Sequence, residues 1–173
     1  MLTTNQKGAI AEAKIAAAAL EEGIGVFRPL ADERYDLVFD TRPELLRVQC
    51  KWARVSNGAV VLRSYSSRRT LGGMVNTIYT EAEIDALAAY CPDLEECYLV
   101  PAALVAGRRI IHLRFGPSAN NQRERINWAA QYRLGAIAQL GERPAGSREA
   151  VGSSPTSSTP EAAAAVASPS RPD

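Results

Sequence analysis

The sequence predicts a mixed α/β domain, a central sheet flanked by helices, followed by a C-terminal tail without a core of its own. Three observations carry this. The N-terminal twenty residues are an alanine-rich helical run. The middle of the chain is a series of short apolar segments punctuated by Gly, Pro and Asn-Gly, the pattern of strands and turns. From Gly135 onward large apolar residues thin out. A length of 173 residues allows one domain with a stable core.

The elements follow in order. Residues 3–22 form the first helix, with Thr4 or Asn5 as cap and Gly23 as stop. Its alanines allow close packing on a sheet. "GVFRPL" is a short strand ended by Pro29, "RYDLVFD" a second strand and "LLRVQCKWARV" a third. Asn57-Gly58 is a hairpin signal that returns the chain into "AVVLRSYS". "SRRTLGGMVNT" reads as a glycine-bearing basic loop. "YTEAEIDALAAYC" reads as a helix: Thr80 and Glu83 match a capping box, and Ile84, Leu87, Ala88 and Cys91 share a face. "ECYLVP" is a strand, "AALVAG" a short helical turn, "RRIIHLRF" a strand and "NNQRERINWAAQY" a last helix. Trp52 and Trp128 are expected in the core.

Net charge is +1, which excludes a chain that is basic throughout. The distribution is more informative. Between Trp52 and Thr80 lie Arg54, Arg63, Arg68 and Arg69 and no acid, a local basic patch. The three cysteines show no CxxC spacing, and with a single histidine they make no zinc site. Free buried thiols in a reducing compartment are expected. "MLTTNQKGAIAEAK" meets charge before any apolar run, so no secretory signal is expected. Ala16–Leu20 is too short to span a membrane. A cytoplasmic protein is the expectation.

The third strand raises the functional question. Leu46, Val48, Cys50 and Trp52 alternate onto one face and suit a core; Arg47, Gln49 and Lys51 fall on the other. An antiparallel strand with one wet face would explain this. So would a shallow active site built on a strand. Asp36 lies thirteen residues before Gln49, a gap that lets a hairpin set it beside the Gln49/Lys51 face, and Glu12 sits in the first helix. Phosphodiester hydrolysis needs oxygen ligands for Mg²⁺ and a nearby cation. Asp36, the Gln49 amide and the Cys50 backbone carbonyl can supply the oxygens. Lys51 can orient water and stabilise developing charge. Asp85 reads as structural, and His112 has no catalytic partner.

"YD" followed by "QCK" resembles the PD-(D/E)xK nuclease superfamily, whose fold is that of type II restriction enzymes. Gln49 departs from the usual acid and removes one charge from the metal site; Tyr35 stands where the motif has proline. The blocks "NQKGAIAEAKIAAAALEEG", "RYDLVFD", "LLRVQCKWARV", "EIDALAAYCPDLEECYLVP" and "NNQRERINWAAQY" narrow the resemblance. Together they look like the group I intron-encoded homing endonucleases of cyanobacteria and their free-standing relatives, which also carry a QxK variant. The resemblance covers about residues 3–132. It implies an active site of Glu12, Asp36, Gln49 and Lys51, Mg²⁺ (or Mn²⁺) as cofactor, and double-stranded DNA as substrate. Arg54, Arg68 and Arg69 are then candidate phosphate contacts. Cutting both strands calls for a homo-oligomer, a dimer or tetramer. Two alternatives stand beside this reading: a DNA-binding protein with a decayed site, and a structure-specific nuclease that prefers branched DNA.

The expected division is a nuclease-like domain over residues 1–134 and a disordered low-complexity tail over 135–173. The tail also resembles a transfer RNA gene read as codons. "IAQLGER" can encode a D-arm and "GSSP" a T-arm. Gly135 to Thr159 spans 25 codons, or 75 nucleotides, the size of a whole tRNA. On that reading the tail serves neither folding nor catalysis.

Overall fold

The computed structural model describes residues 1–116 and 126–136. The tail beyond Ala136, and the part of the expected last helix before Ile126, lie outside the described residues.

The first helix, α1, runs Thr4–Glu21. Thr3 is its cap, one residue earlier than expected: its hydroxyl accepts from Gln6 N–H, and the Gln6 side chain accepts from Thr3 N–H, a complete capping box. Gly23 stops it as expected, at φ +76°, with Ile24 N–H bonding back to the Ala19 carbonyl. Ala11, Ile15 and Ala19 form its buried stripe.

The main sheet holds five strands in the order β1-β2-β3-β8-β9. These are β1 (Gly25–Phe27), β2 (Leu37–Asp40), β3 (Leu45–Trp52), β8 (Ala86–Cys91) and β9 (Glu96–Pro101). All neighbours are antiparallel except β3 and β8, which are parallel. Thus β3 is an interior strand of a mixed sheet, and the wet-faced antiparallel alternative for it fails: Gln49 is only 8% exposed. Leu46, Val48, Cys50 and Trp52 do share one face, packed with α1.

The other face is covered mainly by a second sheet where flanking helices were expected. That sheet comprises β4 (Arg54–Ser56), β5 (Ala59–Arg63) and β10 (Ile110–Arg114), in the order β10-β5-β4. Val60, Leu62, Ile111 and Leu113 pack across from Leu87, Ala89, Tyr98 and Val100. The turn between β4 and β5 is the expected Asn57-Gly58, both with positive φ. A short helix, α2 (Ala102–Val105), follows β9.

Three expectations need correction. "YTEAEIDALAAYC" is not a helix. Thr80 and Glu83 make only half of a capping box, Thr80 N–H and hydroxyl both donating to the Glu83 carboxylate while Glu83 N–H bonds the Thr80 carbonyl, and they close a single turn after which the chain enters β8. All six residues of β8 are buried, so its apolar run is unbroken on both faces, as an interior strand requires. "SRRTLGGMVNT" is not a loop but most of an antiparallel hairpin, β6 (Tyr65–Thr70) with β7 (Gly73–Ile78), and is largely exposed. In the described part of "NNQRERINWAAQY" only a 3₁₀ turn forms, Ala129–Tyr132, and Trp128 is 40% exposed rather than core. The three cysteines are free, with Cys50 and Cys91 buried. No helix among the described residues is long and apolar enough to cross a membrane.

Asp85 pins the crossover into β8. Its carboxylate accepts from Arg47 N–H at 2.7 Å, Nε at 2.9 Å and Nη2 at 2.9 Å. These bonds hold the Asp85 carboxyl below the usual carboxylate range. A carboxyl depressed by folding adds stability above its unfolded value, near pH 4, and loses it as pH falls through the folded value. Asp85→Asn should therefore cost about 1 kcal/mol at pH 7 and less at pH 3, measured by urea unfolding. An equal cost at both pH values would contradict this assignment.

Candidate active site

Asp36 sits one residue ahead of β2, fixed by its N–H bonding to the Val48 carbonyl at 3.0 Å. Its side chain turns toward β3. One oxygen, Oδ2, accepts from Cys50 N–H at 2.8 Å and from Gln49 Nε2. The same Nε2 donates to the Cys50 carbonyl at 3.2 Å. The Asp36 carboxylate and the Cys50 carbonyl therefore converge on one point, filled by the Gln49 amide nitrogen.

Glu12 enters from α1. It shares with Asp36 a cleft of about 190 Å³ that Arg28, Asp32 and Tyr35 also line. Glu12 Oε2 accepts from Arg28 Nη2 at 3.0 Å. Burial raises the Glu12 carboxyl above its ordinary range and the Asp36 charge adds to this, while Arg28 opposes both. Burial also raises Asp36; Cys50 N–H, Lys51, Arg28 and Gln49 counter it. Each shift marks a carboxylate that would be relieved by a cation.

Lys51 lies two residues along β3 from Gln49, on the same face. Its Nζ donates to Tyr79 Oη at 2.9 Å and stands 4.9 Å from the ring centroid. Burial lowers its ammonium below the usual lysine range, against the pull of Asp36. The Cys50 thiol points instead into the core beneath α1, where burial pushes its pKa up.

The fold thus brings together Glu12, Asp36, Gln49, Cys50 and Lys51. The basic residues divide. Arg68, on β6, reaches Asp32 at the cleft at 3.7 Å, both side chains being highly exposed. Arg69 is exposed on the same hairpin and Arg54 is exposed on β4. Three further residues belong to the site: Arg28 against Glu12, and Arg34 and Tyr79 beside Lys51. "FRPL" and "ERYD" carried no spacing that marks Arg28 or Arg34, and Tyr79 was hidden in a segment read as helix.

Among the described residues no three His, Cys, Asp or Glu side chains cluster as a metal site. A divalent ion here would rest on Asp36, the Cys50 carbonyl and the Gln49 amide oxygen, with Glu12 across the cleft. That donor set fits a hard cation: every donor is oxygen, and two already face one point. The Gln49 amide must turn, so that oxygen replaces nitrogen toward Asp36.

A mixed sheet carrying an aspartate at the head of one strand and Gln-x-Lys on the next defines a nuclease scaffold. The chain belongs to the PD-(D/E)XK endonuclease family, whose model matches residues 2–135. It is also similar to the solved structure of a bacterial homing endonuclease, I-Ssp6803I. The two are 30% identical with a TM-score of 0.63, over 81% of this chain and 96% of that one. A comparison with curated proteins gives no match.

Divalent ions should raise the melting midpoint of the wild type, by the linkage expected of any ligand that binds only the folded state. Asp36→Asn should show no rise. Gln49→Glu sets a third carboxylate beside Asp36 and Glu12, so its ion-free midpoint should fall and its ion-induced rise should grow. Titration with Mg²⁺ or Mn²⁺ in a thermal-shift assay checks all three. A wild-type midpoint that ignores millimolar ions would count against the metal site.

Proposed function

We propose that this protein is a metal-dependent endonuclease that hydrolyses phosphodiester bonds in double-stranded DNA, of the homing or mobile-element type. One observation carries the reading: Asp36 Oδ2 and the Cys50 carbonyl converge on the Gln49 amide, with the Lys51 ammonium held on the same strand face. The family supports a DNA substrate.

Mg²⁺ (or Mn²⁺), when bound, supplies a Lewis acid for the scissile phosphate and lowers the pKa of a bound water. Asp36 contributes the one fixed negative oxygen, anchored by Cys50 N–H. Gln49 adds a neutral oxygen. Lys51 sets a positive charge where the phosphate gains negative charge, in a partly buried site where that charge counts for more than in water. Glu12, steered by Arg28, offers a second carboxylate to the ion or to the attacking water. Arg68 and Arg69 on the exposed hairpin, and Arg54 on β4, are suited to phosphate contacts that position the duplex.

Cleavage of both strands requires two such sites, so we propose a homo-oligomer, a dimer or tetramer. We place it in the cytoplasm, in keeping with three free thiols. The tail from Gly135 onward is read as dispensable and as the trace of a tRNA gene in the reading frame. A second reading is a DNA-binding protein that does not cut. The Gln49 amide favours it, since its NH₂ rather than its oxygen faces Asp36 and the Cys50 carbonyl.

Nicking of supercoiled plasmid carrying the tRNA sequence deduced from the tail separates the two. Mg²⁺-dependent nicking is expected, with Lys51→Ala slower by about 100- to 1,000-fold. Protein ending at Leu134 should cut like the full chain. Binding without nicking, on this plasmid and on mixed genomic DNA, would favour the non-cutting reading.

A further inference from the structure

Lys51 is not free at the end of its stem. An ammonium has three N–H donors. One is given to Tyr79 Oη at 2.9 Å, and the charge lies 4.9 Å from the centre of the same ring. The hydroxyl fixes a direction for the ammonium. Two donors remain for the side of the site where Asp36 acts.

Tyr79 is itself braced. It is 2% exposed and follows immediately after β7. Arg34 stacks on its ring at 4.7 Å. Arg34 in turn donates through Nη1 to Ser66 Oγ at 2.8 Å and through Nε to Glu83 Oε1 at 2.9 Å. Its Nη2 is buried without a hydrogen-bond partner among the described residues. Two cations thus meet at one buried tyrosine, with an orphan donor beside them.

We propose that Tyr79 is a positioning residue for cleavage: its hydroxyl, on a ring braced by Arg34, holds the Lys51 ammonium in the direction the reaction needs. The inference rests on the nuclease reading above. A lysine without this hold keeps its charge but samples many rotamers, and misplacement by about 1 Å costs on the order of 100-fold in rate. Arg34 lies between β1 and β2, and its own partners Ser66 and Glu83 sit on β6 and ahead of β8, so the base of the exposed hairpin is tied to the ring that meets the lysine.

Tyr79→Phe removes the hydroxyl and keeps the ring. Under single-turnover conditions with Mg²⁺ and saturating DNA, the cleavage rate should fall about 10- to 100-fold. The DNA concentration giving half the maximal rate should stay within about twofold of wild type, a margin of roughly 0.4 kcal/mol. A rate equal to wild type overturns the proposal. So does a loss that appears only as weaker DNA binding. A second arm needs no cleavage: the NMR resonance of the Tyr79 hydroxyl-bearing ring carbon, in ¹³C-tyrosine protein, should move in Lys51→Met and stay put in the surface variant Lys14→Met. Wild type inert on DNA would sink the nuclease reading; the resonance then still decides the contact. A shift upholds the hold of Tyr79 on Lys51, and an unmoved resonance overturns it.

Discussion

A single carboxylate oxygen organises this site. Asp36 Oδ2 takes the Cys50 N–H and one N–H of the Gln49 amide, and so binds the entrance of β2 to the centre of β3. A carboxylate withdrawn from water must be compensated or it protonates. Here the compensation is spread over a backbone N–H, a neutral amide and two more distant cations, Lys51 and Arg28. None of these is a full counter-charge in contact. The arrangement leaves residual negative potential at the point where the Cys50 carbonyl also arrives, and that suits a divalent ion.

The scaffold makes this possible through small residues. In the parallel pair of β3 and β8, Cys50 lies opposite Ala88 and Lys51 opposite Ala89. Alanines beside these positions let α1 settle onto one face with its own stripe of Ala11, Ile15 and Ala19. That close approach carries Glu12 to the cleft that Asp36 also lines. On the other face Ala89 leaves room for the lysine stem to reach Tyr79. Larger residues in β8 would fill the space on both sides and separate the groups that the chemistry needs together.

The legible parts of the sequence were those whose signal is local. Alternation along "LLRVQCKWARV" placed the core face of β3 correctly, and Asn57-Gly58 marked the turn between β4 and β5, where both residues take positive φ. The Asp36, Gln49 and Lys51 cluster followed from spacing. What stayed hidden depended on neighbours distant in sequence. Residues 86–91 are good helix formers, yet burial on both faces outweighs propensity in a central strand. The hairpin of β6 and β7 is exposed on both faces, so no alternation betrays it. Reading residues 79–91 as helix also concealed Tyr79, whose partner Lys51 is 28 residues away.

Gln49 is then better understood as a choice about the ion-free state than as a defect. An acid there would set a third carboxylate beside Asp36 and Glu12, at a cleft that Asp32 and Glu33 also line. Like charges this close force one group to protonate or the site to open. The amide avoids both, because its NH₂ supplies donors to the two oxygens an ion would otherwise satisfy. The same feature sets the cost of binding: those two hydrogen bonds are given up when the amide turns its oxygen inward. A site of this kind would stay assembled without an ion and would bind one less tightly than a carboxylate site. Discrimination between cations would then rest on the geometry of Asp36 and the Cys50 carbonyl, the two oxygens whose positions the sheet itself fixes.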